Sequence, residues 1–262
     1  MNALTQLHTG STGALLLSAA FGLALGSFLN VVIVRLPGGW KVFFASAFSA
    51  CPQCGARIRW YDNIPLLSFL ALRGRCRACG RPIAIQYPLV ELAMAAITAW
   101  LFAVYGPTPY FFLYTVFFAL LLAVAVIDLR LRRIPDALVM IGCLSGIIGS
   151  LFTPLPGWTD AVAGMVFGAV VPLMVASTYE WLRNKTLIGG GDIKLLGMIG
   201  AFVGWQPLGA ILFYSALAGV VVAVAVKLAG KPGRLPFAPF LALGTLCALF
   251  GPNFFTTFKG LP

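Results

Sequence analysis

Residues 110–128 read Tyr-Phe-Phe-Leu-Tyr-Thr-Val-Phe-Phe-Ala-Leu-Leu-Leu-Ala-Val-Ala-Val-Ile-Asp, with no charge until Asp128 at their end. A helix needs roughly this length to cross a hydrocarbon layer ~30 Å thick, whereas a buried strand seldom exceeds about eight residues. The run is therefore read as a membrane helix. Similar runs occupy 13–34, 87–105, 136–152, 160–182, 187–204, 208–227 and 236–255. The expected fold is an all-α polytopic membrane protein of about eight transmembrane helices. The run at 187–204 is the weakest span, because it opens on glycines and contains Asp192 and Lys194.

Composition agrees with that reading. The 262 residues are 60% hydrophobic and 10% charged, with a mean hydropathy of +0.96. Soluble domains carry about 25% charged residues, so a water-facing surface of ordinary composition is excluded. Lys and Arg number 18 against 7 Asp and Glu, a net charge of +11. In a soluble protein that excess would suggest nucleic acid, but here the cations sit in short connections between apolar runs, and no nucleic-acid partner is expected.

The connections alternate in charge. Gly106-Pro107-Thr108-Pro109, Thr153-Pro154-Leu155-Pro156-Gly157 and Gly204-Trp205-Gln206-Pro207 carry none. Every basic residue except Lys259 lies on the other set, or at the mouth of the sixth run in the case of Lys194. The positive-inside rule then places both termini outside and segment 35–86 in the cytoplasm. No Lys or Arg precedes Arg35, so the first run lacks the basic n-region of a cleaved signal and should stay in the membrane. The chain reads as a first transmembrane helix at 1–34, an aqueous insert at 35–86 and a transmembrane bundle at 87–262.

The insert is too small to hold a core of its own and needs a staple. Cys51-Pro-Gln-Cys54-Gly and Cys76-Arg-Ala-Cys79-Gly supply one: two CxxC knuckles, each closed by a glycine. Two thiolates from each tight turn suit a tetrahedral structural zinc ion, Zn2+, which has no open position for water. Two disulfides are the competing reading, which a reducing cytosol disfavours. Cys143 and Cys247 lie inside apolar runs and read as small buried hydrophobes.

Most of the carboxylates have local explanations. Asp62 reads as a turn residue, Asp136 and Asp160 as first-turn residues favoured by the helix dipole, and Glu180 as a partner for Arg183. Glu91, early in the second run, reads as another dipole partner, with contact to substrate or cofactor as the sharper alternative. Asp128 and Asp192 differ. One ends an apolar run, the other follows Gly189-Gly190-Gly191, and the alternation of spans puts both at the cytoplasmic edge. Carboxylates there are functional candidates by default. Two that meet cannot both ionise, so one holds a proton while the other acts as a base, the chemistry of an aspartic protease. The glycines would leave backbone open to a substrate strand and to water. The competing reading pairs Asp128 with Arg130 or Arg132 and makes Asp192 a helix cap.

Gly26-Ser-Phe-Leu-Asn30, the paired knuckles, Asn63-Ile-Pro-Leu-Leu-Ser68, Tyr87-Pro-Leu-Val-Glu91, Ile134-Pro-Asp136, Gly189-Gly-Gly-Asp192-Ile-Lys194 and Leu235-Pro-Phe-Ala-Pro239 occur in one order along nearly the whole chain. In this the sequence resembles the type IV prepilin peptidases. The resemblance implies a membrane aspartic peptidase of the GxGD type in the bacterial inner membrane. By position, Asp128 and Asp192 would be catalytic, with Gly189, Gly191 and Lys194 as supporting motif residues. It further implies cleavage after a glycine, at the cytoplasmic face, of the basic leaders of type IV prepilins and type II secretion pseudopilins. Methylation of the new N-terminus by S-adenosylmethionine would follow. No GxGxxG follows a strand, so no residue is assigned to the methyl donor. A peptidase without methyl transfer is the nearest alternative. A proton-coupled transporter and a zinc-knuckle scaffold are the rivals from other classes.

Overall fold

A computed structural model describes residues 12–44, 48–154, 156–184, 189–230 and 235–250. The sequence-derived assignments of Lys185, Lys231, Arg234 and Lys259 to loops, and of both termini to the outer side, lie outside those residues. The described chain is helical: α1 (Thr12–Arg35), α2 (Trp40–Phe44), α3 (Leu67–Ala71), α4 (Gln86–Tyr105), α5 (Pro109–Leu131), α6 (Asp136–Ser150), α7 (Trp158–Arg183), α8 (Gly190–Val203), α9 (Leu208–Leu228) and α10 (Ala238–Phe250). The chain divides into two compact units, Met1–Ala119 and Leu120–Pro262, with the boundary in sequence falling inside α5.

Each of the eight apolar runs forms a helix, but span length is a separate matter. Among the described residues five helices, α1, α4, α5, α7 and α9, are long and apolar enough to cross a membrane. The other three are shorter. The 14 residues of α8 reach ~21 Å at 1.5 Å per residue, below the ~30 Å of a hydrocarbon core. Its burial explains how a short helix fits: Ile193 and every residue from Leu195 to Val203 are buried. It is a core helix, enclosed by protein.

Small residues set the packing in both units. In the first, Gly22 and Gly26 of α1 form a small-xxx-small stripe against α4, and a Cβ on Gly26 would stand 2.6 Å from the Glu91 Cα. The Thr98 hydroxyl of α4 donates to the Ser18 carbonyl of α1 at 2.9 Å. In the second unit α7 crosses α8 at similarly close range. A Cβ on Gly164 would overlap the Gly200 carbonyl and stand 2.8 Å from the Gly204 Cα. On another side of α8, a Cβ on Gly146 of α6 would stand 2.9 Å from the Ala201 carbonyl. By contrast α9 is mostly exposed, which suits a helix facing lipid.

Candidate active site

The knuckles are built locally, and built twice. Cys51 N–H donates to the Ala56 carbonyl at 2.9 Å and Cys76 N–H to that of Arg81 at 2.8 Å; Gly55 and Gly80 N–H donate back to the carbonyls of Cys51 and Cys76. Isolated bridges, Ala50 with Arg57 and Arg75 with Pro82, close the two turns. Gly55 and Gly80 take φ of 71° and 68°, left-handed values that cost a side chain energy. The four Sγ atoms lie within 4.8 Å of one another. Zn–S bonds of ~2.3 Å at tetrahedral angles fit that spacing. Backbone amides of Gln53 and Cys54 pull the Cys51 thiol down to about 7, while Cys54, against the pull of the Ala56 amide, is pushed up to about 11 by burial and the neighbouring thiols. Cys143 and Cys247 do not follow the expectation of burial: the first is only partly buried and the second is exposed on α10.

The acids are positioned by tertiary structure. Asp128 sits in the last turn of α5, where the carbonyl end of the helix disfavours negative charge, and its side chain is buried at 6% exposure. Arg132, at φ 52°, donates its N–H to the Asp128 carbonyl at 2.9 Å and ends the helix there. The Asp128 carboxylate does not pair with Arg130. It accepts the Ala238 N–H at 3.1 Å, and a second amide, that of Phe237, also points to it. The N-terminus of α10 thus orients Asp128. In the sequence, Leu235-Pro-Phe-Ala-Pro239 carries one signal for such an end, a proline just inside a helix start.

Asp192 lies in the first turn of α8, half-buried, and its carboxylate reaches back to the Gly189 N–H. That is the reciprocal half of a capping box, so the capping alternative holds. It does not exclude the other, because Asp192 is also close enough to Asp128 to feel its charge. A Cβ on Gly189 would stand 3.0 Å from Asp192 Oδ2, and one on Gly191 would stand 3.1 Å from the Ile134 Cβ. Both glycines leave room for the carboxylate and for the connection entering α6. Lys194 Nζ donates to Asp136 Oδ1 at 2.7 Å on the exposed surface, tying the start of α8 to the start of α6.

Other acids depart from their simple readings. Asp62 lies in a short turn, Trp60–Asn63, but also takes a two-pronged contact from Arg77. That guanidinium holds the Asp62 carboxyl below the usual carboxylate range. Glu91, one turn into α4, does more than face the helix dipole: it is 7% exposed and its Oε2 accepts the Leu66 N–H at 2.9 Å. Among the described residues the ion pairs are Arg77–Asp62 and Lys194–Asp136, so Glu180 makes none with Arg183.

Residues 20–105 match the Bacterial Peptidase A24 N-terminal domain, and residues 115–224 match the Type IV leader peptidase family. The prepilin leader peptidase/N-methyltransferase of Burkholderia pseudomallei (strain 1026b) is 35% identical over 285 residues, spanning 98% of this chain and 92% of the relative. The chain belongs to the type IV leader peptidase family. Two further relatives of that family carry the same name. The Pseudomonas putida protein is 36% identical, covering 92% of each chain, and that of Pseudomonas aeruginosa PAO1 is 35% identical, covering 98% of each. No solved structure matches. Within the family assignment, a transporter or a non-catalytic scaffold no longer has a claim on these motifs.

Proposed function

We propose that the protein removes the leader peptide of type IV prepilins and pseudopilins and then methylates the exposed N-terminus, with Asp128 and Asp192 as the cleaving pair. The support for this is that the end of α5 and the start of α8, which carry these two carboxylates, belong to one compact unit, with Asp192 within electrostatic range of Asp128. Substrate binding after the leader's glycine would put the scissile carbonyl beside them. One carboxylate takes a proton from water as the water oxygen bonds to the carbonyl carbon. The other carboxyl, protonated, supplies a proton as the C–N bond breaks and the amine leaves. The half-buried Asp192 and exposed Gly189 and Gly190 favour entry of substrate from that side. Because two groups in opposite protonation states are needed, the rate should rise and fall with pH as a property of the pair.

The knuckles would hold structural zinc in a cytoplasmic insert at 35–86, between a first membrane helix at 1–34 and the bundle at 87–262. The short helices α6, α8 and α10 would complete an eight-helix membrane bundle in the inner membrane, with the aspartates facing the cytoplasm and α1 beginning on the outer side. S-adenosylmethionine enters as co-substrate for the second step. Incubating purified protein with a prepilin and a labelled methyl donor tests both activities. Cleaved pilin carrying one label per N-terminus is expected. Cleavage without label would leave a peptidase alone, and neither product would remove the reading.

A further inference from the structure

The helix α3 has no water-soluble explanation for its outer side. Leu67 and Leu70, three residues apart and so on one side, are 65% and 69% exposed. Phe69 turns the other way, its ring 3.0 Å from where a Cβ on Gly74 would stand. A small metal-stapled insert has few apolar residues for a core, yet two leucines here stay outside it.

Their height is fixed by one hydrogen bond. Leu66, at the unusual φ of 58°, gives its N–H to Glu91, and Glu91 lies five residues beyond Gln86, ~7.5 Å along α4. The helix α4 is one of the five of spanning length. So α3 begins beside the second turn of a membrane helix, below its end. The bond consumes a buried carboxylate and fixes a strained backbone, which holds the leucines at that level. The chain flanking them is cationic: exposed Arg73 and Arg75 follow α3 directly, and Asp62 is the one acid in 35–86. Exposed apolar side chains flanked by arginines are what an anionic leaflet accommodates.

We propose that α3 is embedded in the phospholipid leaflet at the start of α4, with Leu67 and Leu70 among acyl chains and Arg73 and Arg75 at anionic headgroups. This contact stands apart from the cleavage reading and survives its failure. The full-length, zinc-loaded protein in nanodiscs containing phosphatidylglycerol would carry the photoreactive benzoylphenylalanine at Leu67 or Leu70. Phe112, exposed on α5, and Gln53, exposed on a knuckle, serve as lipid and water references. Lipid adducts at 67 and 70 are expected within a few-fold of the yield at 112 and far above that at 53. Lipid adducts at 112 but not at 67 and 70, or adducts at 67 and 70 only to protein, would overturn the proposal. If the altered residues disturb the insert, the unaltered protein with a photoreactive phosphatidylglycerol decides: adducts in the peptide around α3 support it, and their absence beside adducts on α5 refutes it.

Discussion

The tetracysteine centre and the aspartate pair solve the same problem, that of bringing side chains together, in different ways. Each knuckle is made by six consecutive residues whose own amides and one left-handed glycine shape the turn. The aspartates depend on the end of α5, the start of α8 and the start of α10, and on glycines that let α6 and α7 close on α8. Local construction should fail locally. A site assembled from several helices should be sensitive to changes far from it.

The sharpest contrast comes from removing the functional groups. Asp128→Asn or Asp192→Asn should lower leader cleavage by about 10²–10⁴-fold or more, with zinc content and protease resistance unchanged. Substantial cleavage by Asp192→Asn, measured on purified protein, would break the assignment of this pair. Next in size is the knuckle: Cys51→Ser with Cys54→Ser removes half the thiolates, and structural zinc binding in comparable small modules is coupled to about 10–16 kcal/mol of folding. Trypsin should then cut within 35–86, while helix content by circular dichroism stays near that of the parent. An insert that keeps its resistance after chelation would mean that the turns stand without metal.

The sequence made the knuckles legible because every determinant lies within a few residues of its cysteine. It also made the two aspartates legible as unusual acids, since one closes an apolar run and the other follows three glycines at the mouth of another. It did not make their neighbours legible. Nothing within reach of Asp128 in sequence announces Phe237 and Ala238, which lie over a hundred positions away. The role of Glu91 is hidden for the same reason: in sequence a carboxylate near a helix start looks like a dipole partner, and its acceptor role for Leu66 depends on a contact 25 positions away. The length of α8 was hidden too, because hydropathy registers an apolar run without saying whether lipid or protein surrounds it.

A pair of glycine substitutions sharpens the comparison at smaller cost. Gly164→Ala would press its methyl into backbone of α8 and should destabilise the second unit by about 1–3 kcal/mol, reducing cleavage as α8 shifts. Gly55→Ala meets nothing within 4 Å and suffers only its positive φ. It should cost about 1 kcal/mol, confined to the insert. Thermal unfolding followed separately by cleavage activity and by zinc release distinguishes them. Equal effects on both readouts from either variant would erase the distinction between local and assembled sites.

The smallest effect belongs to Arg77, which lies between Cys76 and Cys79 and reaches out of its knuckle to Asp62 through Nε and Nη2 contacts of 2.9 and 2.7 Å. The Asp62 side chain is 9% exposed and that of Arg77 51%, so water screens the pair and Arg77→Ala should cost little at neutral pH, less than either glycine substitution. The sign with pH follows from the carboxyl held low in the fold. Its stabilisation is complete above the ordinary carboxylate range and fades as pH falls through the lower folded value. Acid also releases zinc by protonating thiolates, which weakens parent and variant alike. The difference between them in protease resistance of the insert therefore isolates the ion pair. It should be largest near pH 7 and close toward zero at the acid end. A difference that grows with acidity would mean that Arg77 supports the insert through packing of its stem, and that this knuckle is less self-contained than its backbone suggests.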